Sequence, residues 1–153
     1  MRFGIFQSVQ LPDPKEEIRY YKEALEQVQW AEQLGYDSVW MTEHHFSRHG
    51  IVSSTLAVLA YLAGVTSTIR LGTAVTVLPF HDPIQVAEEA ATVDLLSGGR
   101  LDFGIGRGFQ WGEYNKLNIP MDEANRRFEE AMEVITKAWT LEEPFDHHGE
   151  FWD

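Results

Sequence analysis

Three short stretches hold residue types able to do chemistry. In Glu43-His44-His45-Phe46 a carboxylate stands beside two imidazoles at the end of a β-branched and aromatic run. An imidazole titrates near neutrality and can carry a proton, and a neighbouring carboxylate can fix its tautomer or raise its pKa. A metal centre fits this spacing poorly. Adjacent histidines on a continuing strand face opposite ways, whereas strand zinc pairs are spaced H-x-H, so no metal is expected here.

The second stretch is Gly104-Ile105-Gly106-Arg107-Gly108. Glycines let a ligand approach the backbone, and the arginine offers a planar fork suited to phosphate. The spacing is not the dinucleotide-binding fingerprint, and the string does not lie in the first βα turn. The third stretch, Gly72-Thr73-Ala74-Val75, offers small residues against which a flat ring could lie. His49, His81, His147 and His148 read as structural or solvated. Glu113, Tyr114, Arg126 and Arg127 read as solvated charges, salt bridges or loop residues.

The elements that must position these groups follow from periodicity. Strand-like runs at Arg2–Gln7, Ser38–Glu43, Ile69–Leu78 and Leu101–Arg107 are each followed by a helical pattern, and their starts recur about every 31 to 36 residues. The first helix is announced by Asp13, Pro14 and Glu16, carries Ile18, Tyr21, Leu25, Val28 and Ala31 on one face, and stops at Gly35. The third repeats the device with Asp82, Pro83 and Gln85 and ends at Gly98-Gly99. The second is softly marked around Ser54–Gly64, and the fourth starts near Asp122 with Phe128, Ala131, Ile135 and Trp139 aligned.

Such βαβα order gives an α/β fold with a parallel sheet, either doubly wound or a (β/α)8 barrel. On the third run Leu71, Val75 and Val77 are bulky while Gly72, Ala74 and Thr76 are small. On the fourth, Leu101, Phe103 and Ile105 alternate with glycines. One face is therefore expected to pack on helices while the other leaves space for a ligand. A whole barrel takes about 250 residues, so four βα units over residues 1–153 read as the N-terminal half of one barrel domain, with Pro144–Trp152 a loop or hairpin.

Composition narrows the partners. The net charge of -12, from 12 Lys+Arg against 24 Asp+Glu, repels nucleic acid and anionic lipid. Absence of cysteine removes disulfides, thiolate zinc sites and cysteine nucleophiles, and fits a cytoplasmic setting. The longest apolar run, Leu56–Val65, has ten residues where a membrane span needs about twenty.

Taken in order, MRFGIF, GYDSVWMTEHHF, IRLGTAVTVLPFHDPIQVAEEAATVDLLSGGRLDFGIGRG and RRFEEAMEVI resemble the bacterial luciferase-like flavin-dependent monooxygenases over essentially the whole chain. The resemblance implies a (β/α)8 TIM barrel, reduced FMN, molecular oxygen, and a flavin hydroperoxide that oxygenates a small organic substrate. It also implies a separate flavin reductase and a homo- or heterodimer. By position, His44 matches the catalytic histidine, with Glu43 and His45 in the same motif. Ala74 and Val75 match the pair whose unusual peptide packs on the isoalloxazine, and Arg107 matches the arginine that meets the FMN phosphate. Gly106 stands where luciferase has its reactive cysteine, so that thiol chemistry is absent and light emission is not implied. A second phosphate-contacting arginine of luciferase falls on Asn125, beside Arg126 and Arg127. Retention of the His-His pair and Arg107 distinguishes the chain from the non-catalytic luciferase subunit. Other readings are a deazaflavin (F420)-dependent dehydrogenase of the same superfamily, a non-catalytic flavin-binding paralogue or subunit, and a metal-dependent barrel hydrolase.

Overall fold

The computed structural model describes residues 1–153 and divides into two compact units. Met1–Thr76 with Thr92–Gly104 form the first; Val77–Ala91 with Ile105–Asp153 form the second. The strands are β1 (Gly4–Gln7), β2 (Ser38–Met41), β3 (Arg70–Thr73), β4 (Thr76–Val77), β5 (Leu101–Asp102) and β6 (Ile105–Gly106). The helices are α1 (Glu17–Gln33), α2 (Thr55–Val65), α3 (Pro83–Ser97), α4 (Trp111–Lys116) and α5 (Ala124–Thr140).

The first unit is a four-stranded sheet in the order β1-β2-β3-β5. Every pairing is parallel, with Ile5 opposite Val39, Val39 opposite Leu71, and Leu71 opposite Leu101. Parallel neighbours require a crossover, and the helical segments between the strands supply it. Val39, Leu71 and Met41 are fully buried with Val28 of α1 and Leu59 and Leu62 of α2. α1 buries Ala24, Val28 and Ala31 as the three- and four-residue steps predict, but Ile18 at the start of that stripe is 74% exposed. The stripe begins one turn later, because Asp13 caps a 3₁₀ turn over Pro14–Glu16 rather than α1 itself.

Two polar clamps close the loops at the N-terminal ends of the strands. Glu32 Oε1 accepts from the amides of Ser67, Thr68 and Ile69 at 2.8, 2.6 and 3.0 Å and from the Thr68 hydroxyl at 3.1 Å. Burial raises the Glu32 carboxyl, but these hydrogen bonds outweigh it and bring it down to about 2. Arg100 gathers the end of α2: its guanidinium donates to the carbonyls of Ala63, Thr66, Ile69 and Ser97 and to the Thr66 hydroxyl. Terminal helix carbonyls have no partner within the helix, and a cation there also meets the negative end of the dipole.

The expected open face is partly filled. The ring of Trp40 lies over Gly72, where an added Cβ would come within 2.4 Å of Trp40 Cε3. Spacing alone could not show this, because Trp40 comes from the neighbouring strand. The runs are also shorter than expected. The second ends at Met41, not Glu43; the third breaks after Thr73; the fourth breaks between Asp102 and Ile105.

In the second unit Val77, the last residue of β4, lies beside β6 in a two-stranded sheet. Asp82 caps the start of α3 as expected, its Oδ1 accepting from the amides of Ile84 and Gln85. α5 buries Ala124, Ala131, Val134 and Ile135, and Trp139 Nε1 donates to the Ala87 carbonyl at 3.1 Å. Glu130 holds the segment after α5, accepting from the amides of Glu150, Phe151 and Trp152 and lying 3.2 Å from His147 Nε2. No helix is long and apolar enough to cross a membrane.

Candidate functional site

In the first unit the residues singled out from sequence gather at the C-terminal ends of β2 and β3. In parallel βα folds this is the end at which loops carry function. Beyond Met41 the chain leaves the sheet, so Glu43, His44 and His45 stand in a loop rather than on alternating faces of a strand. The loop is pinned by two main-chain bonds, Thr42 N–H to the Gln7 carbonyl and His44 N–H to the Val52 carbonyl. Glu43 is buried, and His45 Nε2 lies 2.9 Å from its Oε1, with the imidazole 14% exposed. A carboxylate so placed favours the tautomer with hydrogen on Nε2 of His45. His44 is half-buried, and its ring packs on Gly50, where an added Cβ would come within 2.5 Å of His44 Cδ2. Gly50 is thus a support that the sequence did not flag, because its partner is six positions away in an irregular loop. Thr42, beside Glu43, has a buried hydroxyl with no hydrogen-bond partner.

The peptide between Ala74 and Val75 is cis. Both residues are half-buried, and their flanks are fixed on either side. Ala74 N–H donates to the Met41 carbonyl at 2.7 Å, and Thr76 N–H donates to the Gly104 carbonyl at 2.9 Å. Thr73 and Gly104 complete the frame. The Thr73 hydroxyl donates to the Gly104 carbonyl at 2.6 Å and accepts from the Gly104 amide at 2.8 Å. An added Cβ at Gly104 would lie 2.2 Å from the Thr73 carbonyl oxygen, so this position has no room for a side chain. The pair Ala74-Val75 therefore sits in a short break between β3 and β4 held by hydrogen bonds to two neighbouring segments.

Gly106 and Arg107 belong to the second unit. Gly106 ends β6 and is half-buried, while the Arg107 side chain is exposed and enters no salt bridge. Its main chain is held from beneath, since the hydroxyl of Tyr114 donates to the Arg107 carbonyl. Glu113 and Tyr114, read from sequence as loop or solvated residues, are instead buried on α4, at 4% and 0% exposure. A six-residue helix leaves too weak a periodicity to be read from sequence. Arg126 and Arg127 behave as expected of surface cations. Arg126 pairs with Glu150, and Arg127 pairs with Glu123 while stacking on Phe151 at 4.2 Å. Asn125 is exposed. His147 is engaged with Glu130, and His148 with Asp153 at 2.6 Å, matching the structural or solvated reading.

Comparison with known proteins gives a consistent picture. A sequence profile described as luciferase-like monooxygenase matches residues 1–153. The oxygenase component of a flavin-dependent trigonelline monooxygenase from Acinetobacter baylyi is 37% identical over 99% of the chain and 42% of its own length. A 4-hydroxyprotoasukamycin monooxygenase from Streptomyces nodosus subsp. asukaensis is 39% identical over 78% of the chain and 32% of its own length. The crystal structure of monooxygenase RslO1 from Streptomyces bottropensis superposes with a TM-score of 0.91 at 34% identity, covering 99% of this chain and 46% of that one. The chain thus spans about two fifths of the length of the curated relatives it matches. The parallel βα order is that of a luciferase-like TIM barrel over about half of such a chain.

Proposed function

Because the chain belongs to the luciferase-like monooxygenase family, we propose that it forms part of one barrel domain of a flavin-dependent monooxygenase. In this reading the enzyme takes reduced FMN from a separate reductase and oxygenates a small organic substrate with O2. The observation that carries the reading is the match along all of residues 1–153, with the histidine motif, the small pair after β3 and the arginine after the glycines all retained. The name "oxygenase component" borne by the Acinetobacter relative supports the two-component arrangement.

The residues present suit that cofactor. The half-buried pair Ala74-Val75 offers main chain and small side chains to a planar ring, and the exposed Arg107 guanidinium is uncommitted and suited to a phosphate dianion. When bound, reduced flavin supplies the electrons that activate O2. The chain's own share is binding and proton management. Arg107 anchors the phosphate, Ala74 and Val75 seat the ring, and Gly106, lacking a side chain, lets a ligand approach its main chain. His44 holds or moves a proton next to the reacting atoms, with Glu43 and His45 shaping its loop. Gly50 keeps the His44 ring in place.

The test is oxygen uptake by the intact protein supplied with reduced FMN, set beside reduced deazaflavin F420. Saturable binding of reduced FMN, with its reoxidation by O2 altered by the protein, is the expected result. Hydride exchange with F420 and no oxygen consumption would replace this reading with the dehydrogenase one. Flavin binding with reoxidation no different from that of free FMN would identify a non-catalytic paralogue.

A further inference from the structure

Arg107 follows the end of β6 and precedes a glycine in the left-handed region. The next residue, Gly108, has φ +73°, and an added Cβ there would lie 2.7 Å from Val77 Cγ1 and 3.5 Å from Tyr114 Cε2. The main chain is therefore pressed against a side-chain floor with no room to spare. Tyr114 forms the centre of that floor. It is fully buried, meets Phe80 edge-on with ring centroids 4.7 Å apart, and donates its hydroxyl to the Arg107 carbonyl. Burial raises the Tyr114 phenol above its ordinary value, against the opposing pull of the Arg107 and Arg127 cations, so the hydroxyl keeps its proton and remains a donor. α4 fixes Tyr114 in turn, its amide and that of Glu113 both donating to the Gln110 carbonyl.

We propose that Tyr114 is a positioning residue for phosphate recognition: by holding the Arg107 carbonyl it fixes the point from which the exposed Arg107 side chain reaches its anion. The inference rests on the reading of Arg107 as the phosphate anchor and adds a residue seven positions on. The physical gain is preorganisation. A guanidinium on a mobile loop loses backbone as well as side-chain freedom when it binds a dianion, and a loop already fixed loses only the latter. The ring of Tyr114 supports the fold, whereas its hydroxyl serves the loop, so the two roles are separable by one oxygen atom.

The experiment is a double-mutant cycle in the intact protein, reading anaerobic binding of reduced FMN and reduced riboflavin. Tyr114→Phe keeps the ring between Phe80 and Gly108, and riboflavin binding itself reports that the protein is folded. Losing one neutral hydrogen bond corresponds to about a 2- to 13-fold change. FMN affinity should fall within that range in Tyr114→Phe while riboflavin affinity stays unchanged. In an Arg107→Ala background the same substitution should cause no further loss of FMN affinity. Equal losses for both ligands, no loss for FMN, or a loss that adds fully to that of Arg107→Ala would each overturn the role of Tyr114. If Arg107→Ala alone weakens FMN and riboflavin alike, the phosphate assignment of Arg107 fails and the proposal falls with it. An Arg107→Ala effect confined to FMN, with Tyr114→Phe silent, removes only the proposal.

Discussion

The Thr73 hydroxyl both donates to the carbonyl of Gly104 and accepts from its amide, at 2.6 and 2.8 Å. One side chain thereby satisfies both main-chain groups of a residue with no space for a Cβ. The short non-sheet segment Ala74-Val75 begins immediately after this pair. Replacing Thr73 with Val keeps the shape but leaves the Gly104 amide unpaired, while the Gly104 carbonyl keeps its bond from the Thr76 amide. The expected cost is about 1–3 kcal/mol of stability, measured by denaturant unfolding, together with weaker flavin binding. A Thr73→Ser change should recover most of both, and equal behaviour of Val and Ser would show that the hydroxyl does not frame the segment.

Losing a general acid or base lowers turnover by about a hundredfold or more. His44→Ala is expected to do this while reduced FMN still binds, and wild-type turnover in that variant would withdraw the role. Gly50→Ala tests the support beneath the ring. The introduced methyl would displace the His44 imidazole, so turnover should fall although no reacting group has been removed.

Arg107→Ala should weaken reduced FMN by about 1.5–3 kcal/mol, the range for a hydrogen bond to a charged group, and spare riboflavin. Paired isothermal titrations with the two ligands read the difference directly.

Glu32 gives the protein an acid limit. Its carboxyl lies at about 2 when folded against an ordinary 4.5, so the unfolded chain binds the proton more readily. The stabilisation is therefore fully present above about pH 4.5 and drains away as the pH falls toward 2. Glu32→Gln should lower stability at pH 7 and flatten the dependence across that window. A variant whose melting temperature follows the wild-type curve through the window would show that Glu32 is not its source.

Glu130→Gln should loosen the segment that Glu130 holds through the amides of Glu150, Phe151 and Trp152. Limited proteolysis is expected to cut within Pro144–Trp152 faster than in the wild type, while the buried face of α5 stays protected.

Much of this architecture is legible in the residues. Strand runs alternating with capped helical patterns announce the βα order, and Asp82-Pro83 with Gly98-Gly99 mark both ends of α3. The glycine-arginine string and the histidine motif mark where chemistry belongs. What the sequence hides depends on contacts between distant segments. The breaks in the third and fourth runs depend on Thr73 meeting Gly104 across 31 positions. Tyr114 meets a carbonyl seven residues back, and an α4 of only six residues leaves almost no periodic trace. Ile18 shows the opposite error. A residue in phase with a helical face stays exposed here, where the helix begins only one residue before it.

The Trp40 ring occupying the place of a Gly72 side chain makes these two positions a single allotment of volume. Alanine at 72 has nowhere to go while tryptophan stands at 40, and a smaller residue at 40 leaves a void over the glycine. Neither position can drift alone. Among natural chains of this kind the two are expected to change together or not at all, so that a library varying both at once should contain folded members that neither single-site library holds.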